Sequence, residues 1–397
     1  MSQPSTPPIA KKASKPKSAW NDPKVRGIFY QIVVVGLVVL GVWYLVSNTL
    51  HNLSVRNIAT GFDFLAREAG FAIGESVLSY TPEDTYSRAL TVGLLNTLRA
   101  AAIGIVLATI LGTIIGIARL SSNWLVAKLA SVYVEVMRNV PLLLQLFFWY
   151  AIISESFPGV RQAYNPVSGV FLSNRGLKFP ALEGDGLTWL AVGFVVAVAL
   201  ILALANWSRR RQERTGELFP VWRTALALIV ACPLLAWWVS GADLSLNVPQ
   251  LKGFNFQGGM TLTPEFAALL LGLVIYTAAF IAEVVRSGIQ AVSHGQWEAA
   301  ESLGLRRSMA LRLIVLPQAL RVIIPPMTSQ YLNLTKNSSL AVAIGYPDIV
   351  SVVNTTLNQT GQAIEGIMLI MAAYLTVSLS ISLFMNWYNA RIALVER

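Results

Sequence analysis

Residues 298–317 read Glu-Ala-Ala-Glu-Ser-Leu-Gly-Leu-Arg-Arg-Ser-Met-Ala-Leu-Arg-Leu-Ile-Val-Leu-Pro, a polar stretch set between long apolar segments. Glu298 to Leu303 holds no helix breaker, and Gly304 follows it, the residue type that enters the left-handed turn closing a helix at least steric cost. A second helix is expected from about Ser308 to Pro317. Together they predict a helix-turn-helix projecting from a bilayer, with Glu298, Glu301, Arg306, Arg307 and Arg312 available for ion pairs and Ala299 and Ala300 permitting close backbone approach. A membrane protein has little use for such a loop unless something docks on it.

The surrounding chain supplies the membrane. Of 397 residues, 55% are hydrophobic and 13% charged, the composition of a polytopic membrane protein rather than a soluble one. A span needs about 20 mostly apolar residues. Eight candidates meet that need, near 28–48, 91–118, 133–153, 187–206, 222–239, 263–287, 320–345 and 364–388. The seventh is interrupted by Pro325, Pro326, Asn333, Thr335, Lys336 and Asn337 and fails as a lipid-facing helix, so it is expected inside the bundle. The fold class is all-α and polytopic. In the second span, Gly104, Ala108, Gly112 and Gly116 fall on one stripe and predict close packing by a neighbouring helix.

Net charge is +10, but the basic residues cluster at span ends and in a Pro/Ser/Lys-rich tail over 1–27, as membrane topology requires, not on one nucleic-acid-binding surface. Lys11, Lys12, Lys15, Lys17, Lys24 and Arg26 in the tail, Arg119, Lys128, Arg209, Arg210, Arg211, Arg214 and Arg223 in later loops, and Arg391 and Arg397 at the end predict cytoplasmic N- and C-termini. The first span is expected to be retained, since no small-residue cleavage pattern follows it. Segment 49–90 is expected outside, its Phe-rich part over 61–71 lying on the membrane surface.

Enzyme chemistry is not legible. No Gly-x4-Gly-Lys-Ser/Thr loop occurs, so nucleotide must be handled by a partner. The single cysteine, Cys232, falls within a span, and His51 and His294 lie in loops on opposite expected sides. These residues predict no disulfide, no metal site and no catalytic set. Arg99 is expected at the outer interface, Glu283 and Arg286 as an i, i+3 pair, and Arg138 as an anchor at the inner interface.

Glu298-Ala299-Ala300, Gly304, and Ile314-x-Leu316-Pro317 resemble the loop shared by the membrane subunits of bacterial ABC importers. The resemblance implies that the helix around Glu298 docks in a groove of the ATPase subunit, that Gly304 is the hinge and that Pro317 marks where the chain enters the membrane. Three more segments are similar to polar amino-acid permeases: Tyr133-Val-Glu-Val-Met-Arg138-Asn-Val-Pro141-Leu-Leu-Leu-Gln145; Tyr276-Thr-Ala-Ala-Phe-Ile-Ala-Glu283-Val-Val-Arg286-Ser-Gly288-Ile; and Lys336-Asn337-Ser338-Ser339-Leu340. The usual core of that family has five helices. The larger plan here resembles the general L-amino-acid permeases and their glutamate/glutamine/aspartate relatives, with an extra first helix and periplasmic segment over 28–90 and a permease domain over 91–390. An insertion at about 155–262 would carry two extra helices.

The implied assembly is a second, similar permease subunit, two ATPases that bind ATP-Mg, a periplasmic binding protein and an L-amino-acid substrate, all at the bacterial inner membrane. This chain itself would hold no cofactor. A zwitterionic substrate needs polar partners facing the bundle interior; Thr335, Lys336, Asn337 and Ser338 form the best such cluster, with Lys336 placed to meet a carboxylate. Two other classes compete. An ion-coupled secondary transporter would use Glu283 or Lys336 for the gradient, and a non-transporting scaffold would need the docking loop but no polar path.

Overall fold

The computed structural model describes residues 23–56, 60–217 and 219–392. Lys11, Lys12, Lys15, Lys17 and Arg397 lie outside them. Seven helices among the described residues are long and apolar enough to cross a membrane, and a bent pair raises the number to eight. The first, α1 (Pro23–Val55), begins inside the stretch expected to be tail and includes His51, which is therefore helical rather than in a loop. No residue of α1 is buried.

The bundle is built on α7 (Pro264–Gln290), whose buried face carries Leu269, Leu273, Ala278 and Ile281, all with no exposed surface. Against it pack α2 (Tyr86–Ala118), α3 (Trp124–Asn139), α4 (Leu142–Ala151) and α10 (Leu316–Asn337). Lipid tails are as apolar as these side chains, so close packing rather than water exclusion holds the helices together. The small-residue stripe of α2 provides it. A Cβ on Gly112 would lie 2.6 Å from Ile281 Cγ2 and 2.8 Å from the Ala278 carbonyl oxygen, so only glycine permits this approach.

The span expected at 133–153 is not one straight helix. α3 and the α4 segment meet at a bend of 102°. Val140 precedes Pro141 and is extended, with φ −93° and ψ 123°, because the proline ring excludes the helical conformation there. The break frees carbonyls that apolar surroundings would leave unpaired. Gln145, returning from the first turn of α4, donates its side-chain amide to the Met137 and Val140 oxygens, each at 3.1 Å.

The expected interruption of the seventh span is also different. α10 runs helically through Pro325 and Pro326, then tightens into a 3-10 turn over Ser338–Ile344. Only one face is buried, through Ala319, Ile323, Ile324, Met327, Leu334 and Thr335. Beyond it, α11 (Ile349–Thr360) and α12 (Ala363–Ile392) complete the core.

The segment before α2 packs on the bundle. Phe64 is 1% exposed, packed with Tyr86, Ile349 and Val352. Gly61 is pinned to α12, its N–H donating to Glu365 at 2.7 Å and its carbonyl accepting from Gln362 at 3.1 Å.

Between α4 and α7 lie two further helices, α5 (Gly186–Thr215) and α6 (Val221–Ser240), paired with each other. Among the described residues, eight short strands flank them, which no alternation in the sequence announced. They form a four-stranded antiparallel sheet in the order β1 (Tyr164–Val167), β2 (Val170–Ser173), β3 (Gly176–Phe179), β8 (Met260–Leu262), and two ribbons. One ribbon pairs β4 (Ala181–Glu183) with β5 (Ser245–Asn247), the other β6 (Gln250–Lys252) with β7 (Asn255–Gln257).

Candidate functional site

Three polar constellations stand out from this apolar frame. The first is the projecting loop. α8 (His294–Ser302) follows α7 and ends on Gly304 at φ +73°. Leu305 N–H bonds back to the Ala300 carbonyl at 3.1 Å and Gly304 N–H to Glu301 at 2.9 Å, the paired closure that a left-handed residue past the helix end makes available. Ala300 is wholly buried beneath α8, while Glu298 has 69% of its side chain exposed and Leu303 is 76% exposed. Glu298 reaches His294 Nδ1 at 3.0 Å. The face turned away from the bundle thus offers carboxylates beside an uncovered leucine, a signal that the spacing alone did not single out.

The second half of the loop departs from its expected form. α9 (Arg307–Ala310) passes through a π-helical turn over Leu311–Val315 directly into α10, so no helix stops at Pro317. Proline is tolerated there because it falls in the first turn of α10, where its missing N–H is not needed. Ile314 is half-buried, whereas Leu316 and Pro317 are exposed. Gln318 amide bonds to the Ile314 carbonyl at 3.1 Å and to Gln296 at 3.3 Å, tying the start of α10 to α8. The Gln318–Gln296 contact thus joins α8 to the start of a membrane helix across the Gly304 turn.

Behind the loop, at the same end of the bundle, Glu283 on α7 sits among three arginines. Arg286 pairs with its Oε1 and Arg119, at the end of α2, with its Oε2; Arg138, at the end of α3, approaches to 3.9 Å and stacks over Phe280 at 5.2 Å. The expected Glu283–Arg286 pair is present, but as part of a clasp joining three helices.

The second constellation is on α10. Thr335 and Ser338 are fully buried and bond to carbonyls of their own helix, Thr335 to Tyr331 at 2.9 Å and Ser338 to Thr335 at 2.7 Å. Lys336 points the opposite way, and Asn337 is half-buried between. Val322, Pro326, Ser329, Asn333 and Lys336 form one exposed stripe, so the four residues of the sequence cluster divide between two faces. A lysine and an asparagine on the open face of a span are costly against lipid.

The third lies at the opposite end from α8. Arg99 on α2 pairs with Glu75 at 2.7 Å and stacks over Phe266 at 4.1 Å; the other Glu75 oxygen accepts from Thr263 at 2.5 Å. Asn96 donates to the carbonyls of Glu75 at 2.8 Å and Pro347 at 2.9 Å. Tyr346, wholly buried, stacks on Phe266 and donates to the Asn96 carbonyl at 3.2 Å. Arg99 therefore sits in a partly buried network. Glu75, in a loop with no periodicity, gave no signal in the sequence. Beside the network is a polar cavity of about 300 Å³ bounded by Glu75, Thr263, Glu265, Pro347 and Ser351. Asp348, in the connection outside the spans, caps α11 through Ser351 N at 2.8 Å; burial nevertheless pushes its carboxyl up to about 7. Among the described residues no three His, Cys, Asp or Glu side chains converge as a metal site.

Among the described residues, seven or eight helices of membrane-crossing length place the chain in the class of polytopic membrane proteins. Residues 104–394 match the family described as binding-protein-dependent transport system inner membrane component, and the chain belongs to that family. It is a multi-pass inner-membrane transport subunit and not itself an enzyme. It is 54% identical over 95% of its length, and 96% of the relative's, to a putative amino-acid ABC transporter permease protein, YhdX, of Escherichia coli K12. It is 52% identical to the general L-amino acid transport system permease protein AapQ of Rhizobium johnstonii, with 96% of each chain covered. With BztB, a glutamate/glutamine/aspartate/asparagine transport system permease protein of Rhodobacter capsulatus, it shares 42% identity over 95% of this chain and 96% of that one.

Proposed function

We propose that this chain translocates L-amino acids as one half of an ATP-driven importer's membrane pathway, coupled to a separate ATPase through residues 298–317. The observation that carries the coupling is the exposed face of α8, with Glu298, Glu301 and Leu303 uncovered and the helix tied through Gln296 and Gln318 into α10. Glu298, Ala299, Ala300, Gly304, Ile314, Leu316 and Pro317 form the coupling element. The amino-acid substrate is supported by the names borne by relatives that span nearly the whole chain. ATP-Mg binds to the partner ATPase, and both termini of this chain face the cytoplasm.

The open stripe of α10 supports a second, similar permease subunit as its cover. Facing that subunit across a wet pathway, Lys336 meets a substrate carboxylate and Asn337 helps orient it, while Thr335 and Ser338 set the helix geometry from behind. Substrate arrives from a periplasmic binding protein. The test is uptake into proteoliposomes with purified ATPase and binding protein, using a panel of amino acids. Glu298→Lys should leave ATP hydrolysis but abolish the uptake it drives. Uptake driven by an ion gradient without ATP would overturn the reading in favour of a secondary transporter.

A further inference from the structure

α5 and α6 form a hairpin that the rest of the bundle hardly covers: α6 buries no residue, and α5 only Gly186, Gly193, Ala197 and Ser208. Its depth must be set by the bilayer. α5 has 30 residues, and at 1.5 Å per residue it extends about 45 Å, against about 30 Å for the hydrocarbon core. The 20 residues of α6 match that core. Gly186 N–H bonds to the Asp243 carbonyl at 2.9 Å, aligning the two helices at the strand end, so α5 overshoots at the other end by roughly 15 Å.

That overshoot is where the charge lies. Over 207–223 there are five arginines, at 209, 210, 211, 214 and 223, against Glu213 and Glu217, leaving a net charge of +3. Arg211 is held by Glu217 at 2.7 Å, but Arg209, Arg210 and Arg214 are exposed and have no acidic partner among the described residues. At the same level, Trp207 meets Phe219 edge-on at 5.5 Å and lies 5.5 Å from the Arg211 guanidinium, and Arg223 stacks on Trp222 at 5.3 Å. Trp207 is about half and Trp222 about two-thirds exposed. Aromatic rings at the glycerol level with guanidinium groups just beyond match the layering of a phospholipid surface. A soluble acidic protein offers no apolar layer beneath its charges.

We propose that the α5–α6 turn is a binding site for anionic phospholipid headgroups, with Arg209, Arg210 and Arg214 engaging phosphate and Trp207 and Trp222 seated at the acyl boundary. This rests on the membrane placement of the hairpin, not on the substrate or the coupling loop. The test uses the full chain in nanodiscs containing phosphatidylglycerol with a photoactivatable headgroup, the crosslinked peptides being mapped by mass spectrometry. Crosslinks should concentrate in 207–223 and yield to unlabelled phosphatidylglycerol but not to phosphatidylcholine. Each arginine contributes roughly fivefold at low salt, so the triple variant R209Q/R210Q/R214Q should lose more than tenfold of the crosslinking, and the corresponding triple lysine variant should keep most of it. Equal competition by phosphatidylcholine, or unchanged crosslinking in the glutamine variant, would overturn the proposal. Competition by inorganic phosphate would reassign the site to a free anion, and loss of crosslinks on adding the ATPase would reassign it to that protein.

Discussion

The Gly304→Ala substitution isolates what the left-handed turn does for the loop. A Cβ there meets nothing within 4 Å, so no steric clash contributes. The cost is the backbone alone, about 1–2 kcal/mol for holding an alanine at φ +73°. That penalty falls on the geometry made by the Leu305–Ala300 and Gly304–Glu301 bonds, which aim α8 relative to α9. Since about 1.4 kcal/mol is a factor of ten, the equilibrium constant for the closed loop should fall on the order of tenfold. ATP-driven amino-acid uptake in proteoliposomes should drop by at most a similar factor while the span bundle keeps its thermal midpoint. Gly304→Asn, whose short polar side chain tolerates the left-handed region, should recover most of the uptake. Equal behaviour of the alanine and asparagine variants, or wild-type uptake in both, would refute the assignment of Gly304 as the conformational hinge.

Other expectations follow from the remaining constellations. Glu283→Gln leaves Arg119, Arg138 and Arg286 converging without a carboxylate; because the cluster is partly exposed this should cost about 1 kcal/mol, read as a lowered thermal unfolding midpoint, with R119Q partly restoring it; an unchanged midpoint would show the clasp to be energetically idle. Lys336→Met should abolish uptake while complex assembly and ATPase activity persist, because the exposed stripe and not the packed face is altered; normal uptake in this variant would remove Lys336 from the pathway. For Asp348 the folded carboxyl is raised, so the folded state holds the proton more tightly. Its contribution is full below the ordinary carboxylate range and is lost as pH rises through about 7. Asp348→Asn keeps a cap on α11 and should raise the melting temperature at pH 8 but not at pH 4; parallel melting profiles across that range would contradict the shift.

The loop and the spans were legible because their causes are local. Gly304 closes α8 through bonds that reach back only three and five residues, and apolar runs of span length declare themselves within a window of about 20 residues. The four-residue stripe ending at Gly116 likewise announced a packing face on α2. The third expected span was read as one helix through Pro141; neither its break of 102° nor the bonds from Gln145 to the freed carbonyls was legible. The short strands escaped notice because three- and four-residue elements show almost no period.

The site divides along the same line. The sequence by itself determined a polytopic bundle, a short polar helix ended by Gly304, and a polar segment at Thr335 to Ser338. Only the tertiary structure decided that Lys336 faces outward while Thr335 and Ser338 face in, that Glu283 serves three arginines, and that Glu75 joins Arg99 and Thr263 across 24 and 188 residues of chain. Hydrogen bonds within a helix turn depend on neighbours a few residues away. The facing of a side chain and its distant partner depend on how α2, α7 and α10 pack, and no local window contains that information.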